Sequence, residues 1–216
     1  MLSTFRPALT RSVPVVAAFA VGALATIGLT HHSSSAIAQD GMQEMPPGMQ
    51  EMMAAWTEAR TPNEHHAGMA AFVGTWDVST KMWMEPGGPP MDGEASATFE
   101  WMMEGRYIRQ DFRGNFMGEA FHGIGISGYD NMRGQYVDLW IDDMSTSMSV
   151  MRGGGAADDS TRVMYGRMDD PMSGKVGMLV RSTIENHSAD HFTFTMEDVS
   201  GSEPVTSMVM EYRRRK

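Results

Sequence analysis

From Trp76 to Tyr212 apolar and polar residues tend to alternate one by one, and turn-forming residues interrupt the alternation at short intervals. No other feature of the chain restricts its fold as much. Strands send successive side chains to opposite faces, so about ten such runs spaced about 8 to 12 residues apart predict an all-β sandwich or barrel. The expected strands are 76–84, 95–103, 106–113, 118–127, 135–141, 144–151, 161–168, 175–184, 191–198 and 205–213. Turns are expected at Pro86 to Pro90, Gly105, Asp130 to Gly134, Gly153-Gly154-Gly155, Asp169 to Gly174 and Gly201 to Pro204. Without crossover helices the strands must pair antiparallel through hairpins. Closing such a meander removes its unpaired edges. The expected fold is therefore all-β, a single antiparallel up-and-down barrel of about ten strands preceded by one or two short helices.

Upstream of the barrel the chain divides into two pieces. Arg6 and Arg11 precede an uncharged stretch from Val13 to Leu29, and Ala36-Ile37-Ala38 follows, the order of a secretory signal peptide over 1–38. Its apolar run, about 17 residues broken by Pro14 and Gly22, is short for a membrane span. Cleavage after Ala38 removes two Arg and no acid, taking the net charge from -10 to -12. An exported protein, periplasmic or secreted, is expected, with no stable membrane insertion after cleavage. Residues 39–61 form a Met-rich leader with few branched apolar residues, the first half disordered and the second a short helix carrying Met52, Met53 and Trp56 on one side. Pro62 then opens a second helical pattern with Met69, Phe72 and Val73 on one side and Gly74 as its stop, and the barrel domain is expected over 62–214.

Alternation also nominates the lining. In the first run Trp76, Val78, Thr80, Met82 and Met84 oppose Asp77, Ser79 and Lys81; in the ninth Phe192, Phe194 and Met196 oppose His191, Thr193 and Glu197. The run 135–141 sets Val137, Leu139 and Ile141 against Tyr136, Asp138 and Trp140, neither a plain solvent face. If the aliphatic side lies outside, Tyr136, Asp138 and Trp140 line the interior and the barrel holds a polar ligand or ordered water.

Composition excludes several functions. With no Cys there is no disulfide, thiolate metal site or lipid-anchoring cysteine, and 27 acidic against 17 basic residues argue against nucleic acid as a partner. No dinucleotide, phosphate-loop or nucleophile-elbow motif occurs, and no cofactor is expected. His65 and His66 are adjacent and point apart on a helix, whereas His187 and His191 flank one turn. His122 lies among glycines that let other groups approach. The acidic pairs Asp142-Asp143, Asp158-Asp159 and Asp169-Asp170 fall in turns without calcium-loop spacing. Among 24 Met, those of the leader, Met42, Met45, Met49, Met52 and Met53, have spacings suited to Cu(I), a soft ion that thioethers bind. The remainder read as packing residues.

Several short motifs occur in order: Pro62-Asn63-Glu64-His65, Gly74-Thr75-Trp76, Gly105-Arg106-Tyr107, Met117-Gly118-Glu119-Ala120-Phe121, Gly128-Tyr129-Asp130-Asn131, Trp140-Ile141-Asp142, Asp170-Pro171-Met172 and Glu211-Tyr212-Arg213-Arg214. On these motifs the chain resembles the bacterial family known as domain of unknown function 1579, over about 62–214. The resemblance implies a lipocalin-like or calycin-like barrel, often exported, and no settled activity. The chain departs from the family's pattern at His122, where members tend to carry an acid. Gly74-Thr75-Trp76 also resembles the Gly-any-Trp signature of lipocalins, which implies that Gly74 and Trp76 close the barrel floor under an Arg of the last strand, Arg213 or its neighbour Arg214.

The leading functional expectation is a binding protein rather than an enzyme. Its interior, lined by Trp76, Met82, Trp101, Arg106, Tyr136, Asp138, Trp140, Phe192 and Phe194, would take a small amphipathic molecule, with Arg106 and Asp138 as a buried pair. One alternative is a hydrolase-like or isomerase-like enzyme using Arg106, Arg109, Tyr129, Asp130, Asp138 and Asp142 at the barrel mouth. Another is periplasmic copper handling through the leader.

Overall fold

The computed structural model describes residues 46–157, 160–171 and 173–216; the expected signal 1–38, the leader residues Met42 and Met45, the Asp158-Asp159 pair and Met172 lie outside them. Helix α1 (Pro47–Arg60) comes first, then α2 (Glu64–Gly68) and a 3-10 turn, Met69–Phe72. Ten strands follow: β1 (Gly74–Met82), β2 (Met91–Met102), β3 (Tyr107–Phe116), β4 (Glu119–Asp130), β5 (Gln135–Asp142), β6 (Ser149–Gly155), β7 (Thr161–Asp170), β8 (Lys175–Ser188), β9 (His191–Asp198) and β10 (Val205–Arg214). Each strand pairs antiparallel with its sequence neighbours and β1 pairs with β10, so the barrel is closed. Closure leaves no edge strand to recruit another chain.

One strand is displaced from its expected position. The run expected at 144–151 is β6 at Ser149–Gly155, because Asp142 Oδ1 accepts the N–H groups of Met144 and Ser145 and closes a turn there. Gly153 and Gly155, expected in a turn, instead pair with Met164 and Arg162. Small residues stand opposite large ones, which lets β7 send both long side chains inward.

Both helices form where their local chemistry dictates. The Asn131 amide donates to the carbonyls of Thr61 (2.8 Å), Glu58 (3.2 Å) and Ala59 (3.3 Å), capping the C-terminal end of α1. The apolar side of α1, Met49, Met52, Met53 and Trp56, is exposed. In α2 a capping box forms: the Asn63 side chain accepts from His65 N–H, and His66 Nδ1 accepts from Asn63 N–H. The following turn lowers Met69 and Phe72 into one end of the barrel, where both are buried. The core is this plug and the inward side chains it covers.

The orientation of β5 is resolved. Tyr136, Asp138 and Trp140 share the face of the core residues, Tyr136 being fully buried, while Val137, Leu139 and Ile141 point outward. Outside, Ile141 pairs with Ile124, and Leu139 with Ile126 and Val150.

Candidate functional site

The two ends of the barrel differ. At the plugged end the Trp76 indole donates to the Phe72 carbonyl (2.7 Å) and packs edge-on against Phe192. The guanidinium over Trp76 belongs to Arg214, its carbon 4.2 Å from the ring centre. Arg214 also donates to the carbonyls of Val73 (2.6 Å), Ala71 (2.7 Å) and Ala189 (2.9 Å), tying the last strand to the plug and to the β8–β9 turn. Gly74 makes room for it, since a Cβ there would lie 2.6 Å from Arg214 Nη1. The expectation that placed Arg213 in this role is corrected. Tyr212 points inward, so alternation turns Arg213 out, where it bonds Glu211.

Above this floor lies a buried charge that sequence reasoning missed. Arg162 is 1 % exposed, its guanidinium carbon 3.9 Å from the Tyr136 ring centre and Nη1 3.6 Å from Asp138 Oδ1. Asp138 is therefore paired with Arg162. The expected Arg106–Asp138 pair is overturned, because Arg106 sits in the β2–β3 turn, bonded to the carbonyls of Arg60 and Met103 and to Glu104. The Tyr136 hydroxyl meets His65 Nδ1 (3.2 Å) and donates to the Ala156 carbonyl (3.2 Å), and His65 stacks on Tyr129 at 4.0 Å. Burial pushes the Tyr212 hydroxyl to a higher pKa; Gln110 donates to it from 3.2 Å.

Toward the other end, exposure of the inward residues rises. On β1, Trp76 and Val78 are buried but Thr80 and Met82 are partly exposed; Tyr136 gives way to Asp138, Trp140 and Asp142, Met164 to Met168, Phe192 to Phe194 and Met196, and Tyr212 to Met210 and Met208. Between floor and mouth of a closed sheet, an inward side chain becomes exposed where solvent enters from the mouth. The barrel is thus a cup with its floor beside Trp76. On the cup wall Trp140 lies over Gly123, where any Cβ would collide with the indole, and donates to Asp142 Oδ2 (2.8 Å). The glycines beside His122 thus serve Trp140. Phe121 lies nearly parallel to Trp140, centroids 6.4 Å apart, and Phe112 meets both edge-on.

The expected lining residues therefore separate. Met82, Asp138, Trp140 and Phe194 face the cup, whereas Trp76, Tyr136 and Phe192 are packed into its floor. Trp101 has the inward parity of β2 but stands beyond the floor, 38 % exposed, so it is not a lining residue.

The residues of the alternative catalytic set are dispersed. Arg109 lies on the outer surface bonded to Asp111, Tyr129 stacks at the plug, Asp130 bonds Arg133 in the β4–β5 turn, and Asp142 holds Trp140 at the cup. On the outer face burial opposes ionisation of Asp111, but Arg113, His122 and Arg109 outweigh it and hold the carboxyl below the usual range. His122 Nε2 lies 3.3 Å from Asp111 Oδ1. His187 and His191 do approach, ring centroids 4.7 Å apart. Among the described residues no group of three His, Asp or Glu side chains could hold a metal ion.

A closed up-and-down barrel of ten strands, its floor an indole under an arginine, is compatible with a lipocalin-like fold. The chain belongs to the family described as Protein of unknown function (DUF1579), whose model matches residues 61–214. No curated protein matches it. Among solved structures it is similar to Rv2717c from M. tuberculosis, 10 % identical with a TM-score of 0.48, covering 72 % of this chain and 100 % of that one. It is also similar to the S-type phycobiliprotein lyase CPES from Guillardia theta, 11 % identical with a TM-score of 0.48, covering 74 % of this chain and 97 % of that one.

Proposed function

We propose that this protein is an exported, non-enzymatic carrier that binds a small amphipathic molecule in the open half of the barrel. The supporting observation is the rise in exposure of inward residues from floor to mouth. Phe121, Trp140, Phe194 and Met210 offer the guest an apolar wall, while Asp138 and Asp142 accept hydrogen bonds from its polar end. A mixed lining of this kind suits a ligand with one apolar and one polar part. The floor excludes water from one side and fixes how deep the guest can reach.

Export rests on the order of charge, apolar run and small residues in 1–38. The test has two readouts. Native mass spectrometry of protein purified from its own periplasm should show a chain beginning at Gln39, with a co-purifying small mass. Separately, N-phenyl-1-naphthylamine, a neutral amphipathic fluorophore, should bind one to one. Trp140→Ala should weaken that binding about tenfold, and Trp101→Ala should leave it unchanged. Cytoplasmic protein retaining residues 1–38 overturns export, and equal probe affinity in wild type and Trp140→Ala overturns the cup.

A further inference from the structure

At the mouth of the cup the register brings four methionines into one row. Met91 of β2 is the direct partner of Met82 of β1, Met82 of Met208 of β10, and Met208 of Met196 of β9. All four have inward parity: Met82 follows Trp76, Val78 and Thr80; Met91 precedes Ala95 and Ala97; Met208 leads to Met210 and Tyr212; and Met196 follows Phe192 and Phe194. Met82, Met196 and Met208 are partly exposed and Met91 is 36 % exposed, so the row is reachable from solvent.

Packing accounts for Met196, which lies against the core, but gives the alignment of all four no rationale. A sheet favours β-branched and aromatic side chains, and a single Met fills an irregular gap. Four flexible, unbranched side chains on consecutive strands forgo that preference at every position. What they share is sulfur. Cβ atoms of direct partners stand about 4.5–5.5 Å apart, and three rotatable bonds per side chain allow neighbouring sulfurs to converge on one point.

We propose that this row is a binding site for a soft monovalent metal ion, Cu(I) or Ag(I), held by the thioethers of Met82, Met196 and Met208 with Met91 as the flanking donor. Thioethers are neutral, soft ligands; they select Cu(I) over hard divalent cations that require oxygen. The surroundings suit a cation. Asp198, one inward position beyond Met196, accepts from Ser200 N–H at 2.9 Å, and its nearest charged partner, Lys175 Nζ, stands 4.0 Å away. Binding changes no oxidation state and breaks no bond. The proposal does not depend on the carrier reading: its ligands lie apart from Trp140 on β5, although β9 and β10 also carry Phe194 and Met210 of the proposed wall.

The test is a titration of the full mature chain with Ag(I), followed through the methyl resonances of 13C-methyl-labelled Met, and with Cu(I) under reducing conditions against a chromogenic Cu(I) chelator. One equivalent should bind, shifting the methyls of Met82, Met196 and Met208, with X-ray absorption showing a sulfur shell around Cu(I). Met82→Leu/Met208→Leu should weaken affinity at least tenfold. Leu preserves apolar volume, and an unchanged melting curve confirms that the barrel remains intact. Met132→Leu/Met148→Leu, both at exposed turn positions, should change nothing. Equal affinity in the Met82/Met208 variant, or loss of binding only in Met49→Leu/Met52→Leu/Met53→Leu, overturns the proposal, as does an affinity weaker than about 10 μM in the wild type.

Discussion

Arg214 sits over the Trp76 indole with its guanidinium carbon 4.2 Å from the ring centre, and the two are direct partners across the β1–β10 seam that closes the barrel. The contact joins the first strand to the last, and the same guanidinium bonds carbonyls of the plug and of the β8–β9 turn.

The stacked pair therefore predicts a sharp difference between adjacent arginines. Arg214→Ala should cost about 2–4 kcal/mol, from the lost cation–π contact and charge-assisted hydrogen bonds. Arg213→Ala, which removes only an exposed pair with Glu211, should cost less than about 0.5 kcal/mol. Urea unfolding curves of the two variants decide, and equal losses would show that Arg214 does not hold the seam.

Gly123→Ala places a methyl group within the volume of the Trp140 indole. The ring must move, at a cost of about 1–3 kcal/mol, and the Trp140–Asp142 hydrogen bond should break. Near-UV circular dichroism should report the displaced indole. In a Trp140→Leu background the same glycine change should cost much less, a non-additivity expected of residues in direct contact.

Arg162→Met removes the counter-charge of Asp138 and leaves a carboxylate mostly enclosed by the barrel. Breaking such a pair from one side should cost about 3–5 kcal/mol, whereas Arg162→Met/Asp138→Leu should recover much of the loss. Chemical denaturation of the three variants checks this. A double variant no more stable than the single one would contradict the pairing.

His66 is buried in α2, and burial, reinforced by the neighbouring His65, pushes its pKa below the ordinary value, so the fold favours the neutral ring. Above pH about 6.5 the ring is neutral in folded and unfolded chains alike and the fold keeps its full stability. As pH falls through 6.5 the unfolded chain takes up a proton that the folded one resists, so the melting temperature should decline between pH 7.5 and 5. His66→Gln retains an acceptor for the capping box without titrating, and should flatten part of that decline. His191, lowered first by burial and then by Arg213 and His187, contributes in the same direction. An unaltered slope in His66→Gln would assign the decline to other groups.

Much of the fold was legible because two-residue alternation and turn chemistry are local. The strand order and the buried faces of β1 and β9 follow from them directly. The direction of β5 was not, since Val137, Leu139 and Ile141 compete with Tyr136, Asp138 and Trp140, and only the partners on β4 and β6 decide. Arg162 was hidden because a cation on a Met and Gly face contradicts the pattern that marks an interior; its place depends on Asp138 and Tyr136, both distant in sequence. Arg214 could have been preferred to Arg213 by carrying the parity of Met208, Met210 and Tyr212 one step further. The methionine row has no sequence signature, because its alignment depends on turn lengths between strands.

The β1–β10 pairing runs from floor to mouth, but the side-chain anchors of the closure are gathered at one end. The plug, the Trp76 contact and the Arg214 anchor all meet there, while the hairpins spanning 83–90, 143–148 and 199–204 surround the opposite opening. Of these hairpins only 83–90 is shown touching the seam, where Trp83 N–H donates to the Ser207 carbonyl (2.9 Å). Changes in the length or side chains of these hairpins would reshape the entrance while leaving the Trp76–Arg214 anchor at the base untouched.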